Sequence, residues 1–434
     1  MVNEKRLTET ITEGGIPWIN FFNGRLLSGE DLRAEQDSNL KGRRRLGLAI
    51  GEGVVQGLEV TLPNGGVNTR ETPSVVVGGG LAINRQGQTL WLENQTNVKL
   101  TRPLNADSSV AGDVAFVDCQ PLQPGVYVAE AGVYLLTIAP AKKNEGRAAV
   151  SGLDNIIARC NTHHAVESVQ FRLIQLGLNA EELNDPDHLR NIIAYKCFGI
   201  DNTRSPIDSS VDPFNPSSRQ TLLDDLRPRL LTDCDVPLAI IHWTSTEGIK
   251  FVDMWSVRRR VFAPGAAGGW SAVLGERRQS EVEAMFLQFQ DHLQALRDSE
   301  DNPDTITATK RFRYLPPVGV LPLKTGNARG VQVNAFFEGV AHRNQEFIDG
   351  AQFGALVRDG LNYEPIDLSN GEMVWLYRVW QNEKAVTDGT SRQSSVVFVG
   401  AHVPFVATAR FDVGRWSYSK YASAASCGVG LSKS

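Results

Sequence analysis

The chain has 434 residues, 41% of them hydrophobic and 21% charged, and carries a formal net charge of -5 with a pI near 5.9. This length predicts two or three domains, and the apolar share suffices for a sizeable core. The acidic balance speaks against nucleic acid as a partner, because such binders carry a basic stripe or domain.

Residues 1–27 are expected to form an N-terminal arm, ending in the apolar, glycine-containing lead-in Phe21 to Leu27. Ser28 then opens a charged segment that reads as a helix to about Ile50. The Ser28 hydroxyl can accept from an unpaired amide of the first turn, and Asp31 stands at the capping-box position in place of the usual Glu. Glu30 and Asp31 lie at the positive end of the helix dipole, and Arg43, Arg44 and Arg45 toward its negative end. Apolar positions are sparse, mainly Leu32, Leu40 and Leu46. Such a helix buries a narrow stripe, either on its own domain or on a neighbouring subunit. The arginine triplet has two readings: a solvated helix end, or forks for carboxylates on another subunit. Phe21 and Phe22 either anchor the arm in an apolar groove or belong to the domain core. Gly24 suits a sharp turn into the helix if its φ is positive.

Residues 28–262 read as a β-rich body. Gly51 and Gly53 end the helix, and Gly53 to Leu62 is short, β-branched and alternating, as a strand is. Ser74 to Val77, Leu90 to Leu92 and Val98 to Leu100 are further strands, with Asn84 to Gln88 as a turn. Gly78, Gly79 and Gly80 lack the Lys-Ser or Lys-Thr of a phosphate loop and read as a strand-end turn. Gly132 to Pro140 is a buried strand, and Val166 to Leu176 alternates as a half-buried one. Pro237 to Trp243 and Lys250 to Val261 are expected to pair across the turn Ser245 to Gly248. A helical insertion near residues 187–231 holds helices at His188 to Tyr195 and Gln220 to Leu226, around a Pro/Ser-rich loop from Pro206 to Arg219.

Residues 263–310 read as a linker, Phe262 to Gly269 at its start, followed by an amphipathic helix. Val282, Met285, Phe286, Phe289, Leu293 and Leu296 fall at spacings of three and four, with Ser280 placed to cap them. Residues 311–416 form a C-terminal β-rich module. Pro316 and Pro317 impose an extended path. The phrase FFEG at Phe336 to Gly339 echoes FFNG at Phe21 to Gly24, and a helix near Phe347 to Val357 follows. Met373 to Trp380 and Ser394 to Arg410 are strands, and residues 417–434 a Ser/Ala/Gly-rich tail. The fold class expected is therefore β-rich α+β, multi-domain, with mostly antiparallel sheets and a few inserted helices.

No catalytic constellation emerges. GxSxG, HExxH, Walker A and dinucleotide fingerprints are absent in any supporting context. Cys160, His163 and His164 make a CxxHH string, but zinc needs a fourth ligand and usually a second spaced pair. No enzyme activity, cofactor or metal is expected. His242, inside an apolar run, reads as a satisfied core histidine. The eight tryptophans are spread out, most of them in strands where core packing explains them. Five cysteines, odd in number and without a CxxC pair, predict structural thiols and a reducing compartment. The first fifteen residues lack the apolar core of a signal peptide, and no run reaches the length of a membrane-spanning helix. The location expected is cytoplasmic.

The opening segment also carries a resemblance. Phe21 to Leu27, Asp31 to Gln36, Arg43 to Arg45 and Gly53 to Leu58 follow a pattern of proteins encoded with contractile injection systems: aromatic-Phe-x-Gly-Arg-x-Leu, Asp-Leu-x-x-Glu-Gln, an Arg-rich helix end, then Gly-Val-Val-x-Gly-Leu. VDMWSVRRR and RFRYLPPVG are similar to further phrases of that group. Where relatives carry Asn-Arg and His-Gly, this chain has GLAIGEG, so roles of those residues do not transfer. The resemblance covers about a tenth of the chain. It implies a structural subunit at the baseplate periphery or in a cage, assembled in the cytoplasm, with other subunits of a contractile particle as partners. It also implies a homo-oligomer or symmetric multi-copy state, without direct membrane insertion. Phe21, Phe22, Gly24, Arg25, Arg43, Arg44 and Arg45 are the assembly candidates. A glycan- or receptor-binding fibre of the same particle and a cargo enzyme are the other readings.

Overall fold

The computed structural model describes residues 10–63, 73–100, 132–149, 160–200, 221–227, 229–261, 276–299, 302–323, 330–380 and 395–401. Four strands make the sheet on which the first half of the chain is built: β7 (Gly132–Ala149), β8 (Cys160–Gln175), β9 (Val236–Thr244) and β10 (Gly248–Asp253). They run antiparallel in the order β10–β9–β7–β8. Side-chain alternation gives this sheet two apolar faces. Tyr134, Leu136 and Ile138, with Phe171 and Leu173, face two small sheets. Val133, Leu135, Ile174 and Ile240 face the helices of the insertion, α2 (Leu189–Cys197) and α3 (Leu222–Leu226).

The two small sheets follow the long first helix, α1 (Gly29–Ile50). One is β1 (Gly53–Gly57), β4 (Gly80–Ile83) and β5 (Thr89–Leu92). The other is β2 (Val60–Thr61), β3 (Ser74–Val77) and β6 (Thr96–Lys99). The single strand expected from Gly53 to Leu62 is thus broken in two. Leu58 adopts φ 58 and is fully buried. Packing that side chain offsets the strain of the left-handed region and turns the chain from one sheet into the other.

The C-terminal module holds the short pair β11 (Tyr314–Leu315) and β14 (Ile366–Asp367) and the sheet β12 (Val318–Pro322), β16 (Ser395–Val399), β15 (Trp375–Trp380), β13 (Glu346–Asp349), in that order, with β13 parallel to β15. Phe289 and Leu293 of α4 (Glu276–Ser299) join Phe312, Phe336, Phe337 and Phe398 in one core. The helix α5 (Phe353–Gly360) places Leu356 in the core with Val318, Ile348 and Val397. Val282 and Met285 of α4 also meet Ala194, Tyr195 and Phe198. The amphipathic helix is therefore a core element shared by the insertion and the C-terminal module. The β-rich α+β class holds.

Several local expectations are corrected. Ser280 lies inside α4, where its buried hydroxyl donates to the Arg260 carbonyl, so it is not the cap. Residues 346–349 are strand, and the helix starts only at Phe353. The second strand of the Pro237 pair stops at Asp253 rather than Val261, because Asp253 Oδ1 accepts from the Ser256 amide and bends the chain. Cys234 is disulfide-bonded, so the thiol expectation fails there. Spacing along the chain does not report which sulfurs meet in space. The loop Pro206 to Arg219, the linker start Phe262 to Gly269 and the tail lie outside the described residues.

Asp253 sits where the central sheet, the insertion and α4 converge. It accepts from Arg190 Nε at 2.8 Å and from Gln288 Nε2 at 2.9 Å, while Arg190 also bonds Asp291 at 2.6 Å. Burial works against the charge of Asp253, but Arg190 and the hydrogen bonds from Gln288 and Ser256 overcome it and hold its pKa below the usual carboxylate value. Removing one partner leaves an uncompensated buried charge, so Arg190→Met is expected to lower unfolding free energy by about 3–5 kcal/mol in denaturant titration. His292 is buried beside this pair. Burial, then the Arg190 charge, push its pKa well below the ordinary 6.5, against the opposing pull of Asp253. The unfolded chain then binds a proton that the folded chain refuses. Stability is expected to fall as pH drops below about 6.5, and His292→Gln is expected to flatten that fall between pH 7.5 and 5.5.

Candidate functional site

The site built by the opening segment is a helix with a folded-back arm. Ser28 caps α1 as its sequence requires: its hydroxyl accepts from the Asp31 amide at 3.1 Å, and its own amide donates to Asp31 Oδ2 at 2.9 Å. Arg25 ties the arm to this cap, bonding Asp31 at 2.7 Å and the Asn20 carbonyl at 2.8 Å. Its guanidinium also stands 6.0 Å from the Phe22 ring centre. The amide and hydroxyl of Ser28, then Arg25, keep the Asp31 carboxyl below its usual pKa. Gly24 has φ +89, which makes the turn and disfavours any side chain there. Further along, Arg45 donates to the Gly14 carbonyl and holds the arm against the far part of the helix.

What this paddle of arm and helix leaves in water is unusual. Trp18 is 77% exposed, Phe21 55%, Phe22 63% and Leu26 93%. Leu32, Leu40, Leu46, Leu48 and Ile50 of α1 are exposed too, and Gly47 is the helix's buried residue. Phe21 and Phe22 are therefore not part of the domain core. The arginine triplet is also placed differently from expectation. The helix runs on to Ile50 and has no basic residue in its last turn, so Arg43–Arg45 lie too far back to draw on the dipole, which fades within one turn. Arg43 and Arg45 are exposed and Arg44 half-buried.

The paddle meets the body where two glycines touch. A Cβ on Gly47 would lie 2.1 Å from the Gly87 carbonyl oxygen, and one on Gly87 would lie 2.0 Å from the Arg44 carbonyl oxygen. Gly87 is held for this contact by Asn84, whose side-chain oxygen accepts from the amides of Gln86 and Gln88. Sequence reading missed Gly47. The available signal was a glycine inside a helical pattern, which costs about 1 kcal/mol and needs a packing reason. Just past the helix, Glu52 pairs with Arg85 at 2.6 Å and lies 3.8 Å from Arg227, whose pKa is lowered by burial. These groups line a cavity of about 70 Å³ together with Asp224 and Arg259. That is far below the several hundred Å³ of ordinary small-molecule sites.

Among the described residues no three His, Cys, Asp or Glu side chains gather in a metal-binding group, and no helix is long and apolar enough to cross a membrane. His163 and His164 are exposed on β8, with ring centres 3.9 Å apart. His242 is half-buried beside Phe251, and burial lowers its pKa. Trp243 is core, whereas Trp18 and Trp91 are exposed. No family model matches the chain, and no curated protein is similar to it at a significant level.

The glycine contact gives a direct test. Gly47→Val is expected to lift α1 off the turn and to speed proteolysis at residues 50–53, with little change in the unfolding of the body. Gly42, whose Cβ would meet nothing within 4 Å, is the control. Gly42→Ala is expected to stabilise α1 by up to about 1 kcal/mol and to slow that cleavage.

Proposed function

We propose that this chain is a structural subunit of a contractile injection system, a peripheral baseplate or cage-like component that acts by protein–protein assembly and not by catalysis. One observation carries the reading: the motif-bearing segment Phe21 to Ile50 displays its aromatic and aliphatic side chains to solvent on a separately built paddle. Large apolar side chains left exposed along one segment of chain suit an interaction site. Burying one such Phe side chain on a partner is worth about 1.5–3 kcal/mol, so Phe21, Phe22 and Trp18 together supply enough to seat an arm. Arg43, exposed on the same helix, suits bidentate pairing with a carboxylate of a neighbour. The resemblance to contractile-system proteins supplies the kind of partner, a multi-copy particle assembled in the cytoplasm.

The test is the double variant Trp18→Ala, Phe22→Ala in the full chain. Because both residues are exposed, unfolding free energy is expected to stay within about 0.5 kcal/mol of wild type. Incorporation into purified particles, read by electron microscopy and band intensity, is expected to be lost. Normal incorporation, or a loss of several kcal/mol in folding stability, would sink the proposal.

A further inference from the structure

Two parts of the described structure are unfinished, and they complement one another. The first is β8. It is 16 residues long and forms the outer edge of the central sheet; among the described residues no strand pairs with its free side. Open edges are normally blunted by proline, lysine, bulges or brevity. Within the strand CNTHHAVESVQFRLIQ there is neither Pro nor Lys, and its pairing with β7 runs without a register shift from Gln175 to His164. Moreover, β7 and β8 outrun the sheet. β9 pairs with β7 only from Gly132 to Ile138, whereas β7 and β8 stay paired as far as Ala149 and Cys160, so the last rows form a two-stranded ribbon among the described residues. Lys142 to Glu145 and His163 to Glu167 are exposed there. A two-stranded ribbon is marginally stable in water by itself.

The second unfinished part is the arm. Residues 10–27 contain no helix or strand and carry the uncovered Ile11, Trp18, Phe21 and Phe22. Its run Ile16 to Phe22, IPWINFF, is uncharged and rich in strand-forming residues. Fully extended, residues 10–27 span roughly 60 Å and β8 about 53 Å, at about 3.3 Å per residue. Neither segment repels the other: the arm holds Glu13 and Arg25, and β8 holds Glu167 and Arg172. Pro17 lacks an amide, which an added edge strand tolerates.

We propose that the N-terminal arm of one copy of this chain adds as a strand to the free edge of β8 in a second copy, linking copies by backbone hydrogen bonds. This rests on the reading of the paddle as an assembly surface and names its acceptor. Arg45 to Gly14 and Arg25 to Asn20 are then a parking latch that holds the arm on α1 until a neighbour's edge is available.

The experiment uses the full chain with a benzophenone amino acid in place of Phe22, prepared as an equal mixture of light and nitrogen-15-labelled protein. It is photolysed across a concentration series and read by mass spectrometry. The proposal expects light–heavy cross-links mapping to residues 160–175, increasing with concentration, together with slowed amide exchange in that strand. Light–heavy links that fall elsewhere, on a second arm or on the C-terminal sheet, would overturn the β8 assignment and leave arm-driven assembly standing. Links confined to one copy at every concentration would overturn pairing between copies of this chain, while incorporation of the Trp18, Phe22 variant into particles tests the broader reading separately.

Discussion

A charged carboxylate that cannot reach water dictates how this molecule is put together. Asp253 ends the last strand of the central sheet and is completely buried. Besides the nearby Ser256 amide, its partners come from two other elements: Arg190 from the insertion and Gln288 from the long helix α4. Satisfying one group therefore fixes three pieces of chain in a single arrangement. The apolar contacts of Tyr195 and Phe198 with Met285 act at the same junction but are tolerant of small shifts, as dispersion is. The ion pair is not, because a buried charge must keep its partner within hydrogen-bond distance, and Arg190 Nε holds Asp253 Oδ2 at 2.8 Å. The junction also encloses His292, whose pKa is held well below the ordinary value by burial first and by the Arg190 charge second.

Away from that junction the structure changes character. The central and C-terminal sheets carry apolar clusters on both faces, whereas α1 touches the body at a glycine pair and is followed by the Glu52–Arg85 ion pair. Close approach of two backbones gives position without burying much area. A helix attached in this way keeps its own cap, its own arm and its own apolar side chains, and these are the parts left in water. The contrast is between a polar lock inside and a thinly attached apolar paddle outside.

Much of the fold was legible because local chemistry and periodicity agree with tertiary demand. The capping box at Ser28, the turn around Asn84, the alternation in β8 and the spacing of Val282, Met285 and Phe289 all describe what is observed. Failures occur where a distant group intervenes. Leu58 breaks a strand because a core needs its side chain, and Ser280 is swallowed by a helix that begins earlier than its apolar stripe. For the site, the residues that make it were visible, but the glycine contact that aims it was not. Gly47 finds its reason in Gly87, which is remote in sequence.

The two FFxG phrases separate the contributions of sequence and tertiary structure. At Phe21 to Gly24 and at Phe336 to Gly339 the sequence by itself determined the turn: both glycines take positive φ, +89 and +79, as a residue without Cβ permits. What it could not determine was the fate of the rings. Phe336 and Phe337 are enclosed by Phe289 of α4, Phe398 of β16 and Phe312. Phe21 and Phe22 meet no such wall, because α1 holds them off the body. A turn is set by torsions within a few residues, whereas burial is set by which remote surfaces close over them, and only the tertiary structure decided that.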